Sequence, residues 1–93
     1  MEALAKPDDD ELALRDLIAS DPTKLQSQFD LAELLVSKNR HEDSIDVLLD
    51  IIVIDRNWNE KKAYTLLMDV FSKLGAANEK VKASRKKLAN IMF

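Results

Sequence analysis

The chain has no cysteine, one glycine, two prolines, one tryptophan and one histidine among its 93 residues. Without cysteine there are no disulfides, thiolate zinc sites or thiol redox chemistry within it. One glycine and two prolines are too few turn formers for a fold of many short strands. No apolar run approaches the roughly 18–20 residues of a membrane span. The opening "MEALAKPDDDE" is acidic and lacks the basic and apolar regions of a signal or transit peptide. A cytoplasmic protein is therefore expected, with an organelle matrix as the alternative if a targeting peptide has been removed.

What is present favours helices. Apolar residues make up 46% and charged residues 33% of the chain, a soluble globular balance rich in Leu, Ala, Lys, Asp and Glu. The length suits one domain with a single modest core. Charge is uneven. Met1 to Asp55 carries five Lys/Arg against fourteen Asp/Glu, and Arg56 to Phe93 carries nine against three. Two solvated ends that attract each other explain this; a basic docking end is the functional alternative.

Hydrophobic periodicity marks five helices. The first spans about Asp9 to Ser20, with acids at its start and Leu12, Leu14, Leu17 and Ile18 as its apolar positions. "SDPT" then suggests Asp21 as N-cap and Pro22 as first residue of a second helix over about Thr23 to Lys38. Asn39, three residues before Glu42, resembles a capping box for a third helix over about His41 to Ile54. A fourth spans about Glu60 to Leu74. It stops at Gly75, which fits a left-handed C′ position. A fifth spans about Glu79 to Met92, with Val81, Leu88 and Ile91 inward and a run of lysine and arginine outward. Connectors of a few residues make successive helices antiparallel.

The chain repeats itself. Leu14 and Leu48, Leu17 and Ile51, Ile18 and Ile52, and Asp21 and Asp55 are each 34 residues apart, the tetratricopeptide period. In that repeat's pattern Gln28 stands at the Trp, Leu31 at the Leu, Ala32 at the Gly, Leu35 at the Tyr, Ser44 at the later Ala and Leu48 at the Phe. After a two-residue slip, Tyr64, Leu67, Met68 and Phe71 begin a second unit, and Gly75 falls at its turn. The fifth helix is out of phase with 34 and reads as a solvated cap. The first helix matches the second half of a repeat. The expected fold is an all-α, tetratricopeptide-like stack of about five antiparallel helices over residues 9–93. That stack reads as the tail of a longer array, with residues 1–8 a lead-in that is either disordered or foreign to the natural protein.

Four stretches carry a family resemblance: "FDLA" from Phe29, "LLDII" with "DRNW" between Leu48 and Trp58, "LL…F…LG" from Leu66 to Gly75, and the closing "RKKLANIMF". Over about residues 11–93 the chain resembles the C-terminal tetratricopeptide region of the YbbN-type thioredoxin-like co-chaperones, or chaperedoxins. The resemblance implies a thioredoxin-like domain upstream, unfolded or oxidation-damaged clients, delivery to a chaperone or chaperonin, and Phe93 as the natural C-terminus. Family members are usually Arg-rich just before "DR". Here Ile51 to Ile54 are apolar, which replaces a charged contact with surface to bury.

No catalytic, cofactor or metal site is expected. His41, at a repeat turn, fits a packed or capping role better than a general base. Asp43, Asp46 and Asp50 share one helix face but lack the converging oxygens a divalent ion needs. Partner binding is better supported. In such stacks the first helix of each pair lines the concave face, here Phe29, Asp30, Glu33 and Val36, then Lys62, Thr65 and Asp69. The acids exclude a clamp for a C-terminal carboxylate and suit an apolar or basic segment. With fewer than three full repeats, the alternative is that there is hardly a groove. A second candidate surface is the last helix, with Lys82, Arg85 and Lys86 beside the apolar Phe93. Nucleic-acid binding there is disfavoured, because aromatics are absent and the rest of the chain is acidic. The expected function is the protein-interaction module of a thioredoxin-like co-chaperone, not an enzyme. A generic tetratricopeptide adaptor or self-association domain is the alternative. Trp58, alone between two helices, is expected to fold back onto a helix pair, chiefly onto the fourth helix near Ala63 and Leu67, as a structural joint.

Overall fold

Five α-helices follow one another, α1 (Asp9–Ser20), α2 (Leu25–Ser37), α3 (His41–Ile54), α4 (Trp58–Leu74) and α5 (Glu79–Met92), in a computed structural model that describes residues 9–92. Met1 to Asp8, expected as a disordered or foreign lead-in, and Phe93 lie outside the described residues. Among those described there is no strand. Neighbours in sequence pack in order, α1 on α2, α2 on α3 and α3 on α4, while α5 returns to α3 and α4 touches α2. This is the tetratricopeptide-like helical stack that the repeat spacing implies.

The core is drawn from α2 to α5. Phe29 and Ala32 of α2, Ile45, Leu48, Ile51 and Ile52 of α3, Leu67, Val70 and Phe71 of α4, and Val81 and Leu88 of α5 form one buried cluster. Each large side chain in it contributes roughly 1.5–3 kcal/mol of transfer free energy. Ala32, at the repeat's small position, has no exposed surface, and Leu31 is buried beside it. Ser44 is also fully buried, at the place of the later alanine, and its hydroxyl donates to the His41 carbonyl at 2.6 Å. Tyr64 and Trp58 are half-buried against the cluster.

The fifth helix is in phase after all. Its buried positions Val81, Ser84 and Leu88 lie 36 residues after Ile45, Leu48 and Ile52, the same two-residue slip that brings Tyr64 and Leu67 into register. One insertion in the α3–α4 connector therefore accounts for both helices. The backbone shows where it is absorbed. Asn59, Glu60 and Lys61 all have positive φ, at 49°, 57° and 66°, so the chain makes a left-handed turn before regular right-handed α4 proceeds. Left-handed backbone costs roughly 1–2 kcal/mol per L-residue. Asparagine tolerates it best; Glu60 and Lys61 do not.

The connectors differ from the expected caps. Asp21 does not cap α2, which begins at Leu25 with no side-chain cap. Its carboxylate accepts the Thr23 hydroxyl at 2.6 Å and the Thr23 amide at 3.2 Å, closing a turn on itself. Asn39 does not cap α3. With φ of 63° it ends α2. The Arg40 amide donates to Leu35 at 2.8 Å and the Asn39 amide to Val36 at 3.0 Å, the paired bonds of a Schellman stop. Gly75 does end α4, donating to Phe71 at 2.9 Å. Its φ of 92° and ψ of 152° lie in a glycine-only region rather than the left-handed helical one. Asn78 caps α5, accepting the Val81 amide at 3.1 Å.

Candidate interaction surface

The face made by α2 and α4 is less open than the repeat pattern implies. Phe29 is buried. The Trp58 ring stacks on it at 5.5 Å between centroids, tilted by 47°, and the Lys62 ammonium sits 4.8 Å from its ring centre. The indole thus packs on Phe29 of α2, against the same buried cluster that holds Ala63 and Leu67 of α4. Val36 packs against the core, and Asp30 accepts the Gln26 side-chain amide at 2.8 Å. Of the four α2 residues expected on this face, Glu33 alone is exposed, together with Lys62, Thr65 and Asp69 of α4.

The last helix divides cleanly. Val81, Ser84 and Leu88 are buried, while Lys82, Arg85 and Lys86 are exposed. The Arg85 guanidinium lies 5.2 Å from the Phe71 ring centre, which steadies one cation of the basic face. With Glu79 and Ala83 these three residues line a shallow depression. Lys80, by contrast, reaches back to Asp46 of α3 at 2.8 Å, and the Asn78 amide donates to Glu42 at 3.0 Å. The two charge halves therefore do attract each other at the α3–α5 contact. Phe93, expected beside this face, lies outside the described residues. Of Ile51 to Ile54, the first two are buried, but Val53 and Ile54 remain 63% and 57% exposed.

A buried carboxylate escaped the reading of the sequence. Glu11 of α1 has no exposed surface and is the one buried residue of that helix. Arg15 approaches it with Nε and Nη2, each at 2.9 Å, Arg40 donates to its other oxygen, and the Lys38 ammonium lies 4.0 Å away. Burial alone would push its carboxyl up. Hydrogen bonds from Arg15 and Arg40, and their charges, more than reverse that and hold it below the usual glutamate value. In sequence, Glu11 is one of several acids at a helix start, where the helix dipole already accounts for it. The available signal was its spacing: Glu11, Leu14 and Ile18 fall on one helical stripe, with Arg15 four residues on.

Between α1 and α3 runs a groove floored by Gln28 and Leu31 of α2. Ile18 and Ala19 wall one side, Val47 and Asp50 the other. It continues past Pro22 toward the exposed Val53 and Ile54. The Asp50 carboxyl is raised above the usual aspartate value, by partial burial first and by the charge of Asp46 second, with Lys87 opposing both.

Among the described residues, no group of three His, Cys, Asp or Glu side chains is placed to hold a metal ion, and no helix is long and apolar enough to cross a membrane. The tetratricopeptide repeat family profile matches residues 4–93, and the chain belongs to that family. Comparison with curated proteins and with solved structures returned no match. Tetratricopeptide repeats serve protein–protein interaction and are typically not catalytic.

Proposed function

We propose that this domain is the interaction module of a thioredoxin-like co-chaperone, acting in the cytoplasm downstream of a thioredoxin-like domain and docking a chaperone or chaperonin while clients are held. The carrying observation is α5. Its apolar side is spent on the core, and its other side presents Lys82, Arg85 and Lys86 to solvent beside an otherwise acidic domain. Such a face suits an acidic protein surface, and attraction of that kind weakens with salt. In this reading residues 9–93 are the tail of a longer array, and Phe93 adds an apolar anchor to the basic face.

The test uses the full-length protein, purified chaperonin and the double reversal Lys82→Glu, Lys86→Glu. Both side chains are exposed, so the variant should melt as wild type does. Binding that disappears in the variant, and fades as salt rises in wild type, supports the docking face. Wild-type binding that survives the double reversal removes α5 from the contact. No chaperonin binding by wild type at all leaves the generic adaptor reading. The exposed Leu12 and Leu17 of α1 favour that alternative, since they offer an apolar contact that does not involve α5.

A further inference from the structure

The groove between α1 and α3 occupies a particular place in the repeat. Its floor residue, Gln28, stands where the tetratricopeptide pattern carries tryptophan. One unit later the same place is held by Tyr64, which packs against the core. The pattern therefore puts a large aromatic ring at this position. Gln28 does not supply one. Its amide is turned aside, donating to the Pro22 carbonyl at 2.8 Å. What remains is an open groove of about 220 Å³ with Ile18, Ala19, Leu31 and Val47 around it. For scale, an apolar protein cavity of about 150 Å³ accepts a benzene ring.

We infer that this groove receives an aromatic side chain from a partner polypeptide, in the place that the repeat normally fills with its own tryptophan. The partner segment is apolar, carries Trp, Tyr or Phe as its anchor, and has a Lys or Arg beside it. Three observations specify that chemistry. The missing ring sets the anchor: an aromatic buries a large apolar area at low cost in side-chain freedom. The extension past Pro22 to Val53 and Ile54 supplies an apolar shelf for flanking residues, and these are two of the four large apolar side chains exposed among the described residues. Asp50 borders both parts of the groove, whereas the cation on the opposite wall, Arg15, is already engaged by Glu11. Lys87, whose charge also reaches Asp50, lines neither part, and the carboxylate that borders both favours a cationic neighbour. Stretches of this composition are hidden inside folded proteins and exposed in unfolded ones. The inference thus rests on the interaction-module reading and gives it a client site on a different surface from the basic helix.

The probe is a pair of short peptides, acetyl-Leu-Trp-Lys-amide and acetyl-Leu-Ala-Lys-amide, titrated to millimolar concentration into the isotopically labelled domain and followed by amide chemical shifts. The Trp peptide is expected to move Gln28, Leu31, Val47 and Asp50 in a saturable way, and the Ala peptide to leave them in place. Gln28→Trp should fill the groove from within, raising the melting temperature and weakening the Trp peptide at least tenfold. Asp50→Asn should weaken it severalfold at low salt and little at high salt. Equal shifts from both peptides, or none from either, would overturn the inference without any variant. So would a folded Gln28→Trp protein that still binds the Trp peptide as wild type does. Reversal of Lys82 and Lys86 should leave the titration unchanged, so failure of the chaperonin-docking face and failure of this site are separately visible.

Discussion

Replacing Glu11 by glutamine should release α1 without unfolding the domain. The expectation comes from how α1 is attached. No α1 residue belongs to the core cluster, Glu11 is the one buried residue of the helix, and Leu12 and Leu17 are 49% and 54% exposed. Glu11→Gln keeps the shape and one acceptor but removes the charge that faces Arg15, Arg40 and Lys38. Breaking a fully buried ion pair costs about 3–5 kcal/mol, because the abandoned partner stays dry. Here the partners do not stay dry: their side chains are 46%, 23% and 25% exposed and can rehydrate. The loss should therefore be nearer 2 kcal/mol, about the value of one charge-assisted hydrogen bond. That corresponds to roughly a thirtyfold rise in the opening equilibrium of α1. Native-state amide exchange reads it directly. Amides of α1 should lose about thirtyfold protection, while those of Leu48 to Ile52 and Leu67 to Phe71 keep theirs. If the core amides lose as much as α1, the helix is integral to the cooperative unit and the reasoning fails. If neither changes, solvent has already screened the cluster to nothing.

Acid should act on the same joint. The Glu11 value is depressed in the fold, so its contribution is fully present above the ordinary value of 4.5 and is lost as pH falls through the depressed one. In an acid titration followed by amide shifts, α1 should therefore come away before the core, and Glu11→Gln should abolish that early step. Trp58→Ala should cost about 2–3 kcal/mol by urea denaturation, less than for a fully buried aromatic because the ring is only half-buried on Phe29. An unchanged midpoint would mean the indole is not part of the joint. Glu60→Gly should raise stability by about 1 kcal/mol, since glycine removes the left-handed penalty at φ of 57°. A loss of stability there would place Glu60 in ordinary right-handed helix.

The stack was legible in the sequence because its signal is redundant. Each of Leu48, Ile51, Ile52, Leu67 and Phe71 sits on a helical stripe, at a repeat position, or both, and each is buried. The ends of helices were not legible in the same way. Asn39 offers a side chain that could cap α3 and a backbone that could stop α2. The same few residues fit either role, and the choice is made by where Arg40 must go. Position 17 shows the limit of the repeat as a guide to burial. It matches Ile51, which is fully buried because α2 and α4 flank α3, yet Leu17 is 54% exposed. Among the described residues, α1 has α2 on one side and no helix in the place that α2 holds on α3. Glu11, Gln28 and the positive φ values at Asn59 to Lys61 share a cause: each depends on residues far away or on a local geometry that composition does not encode.

The left-handed residue at Asn39 also sets an order of events. It reverses the chain so that Arg40 faces Glu11, 29 residues earlier. Until α2 has stopped there and α3 has turned back along it, the cation that receives Glu11 is not in place. The α2–α3 hairpin is a local contact and can close early. During synthesis α1 emerges before α2 and α3, and it can rest on α2 before its tie to Arg40 exists. The ion pair that fixes the first helix is therefore completed from a residue made after the helix it packs on.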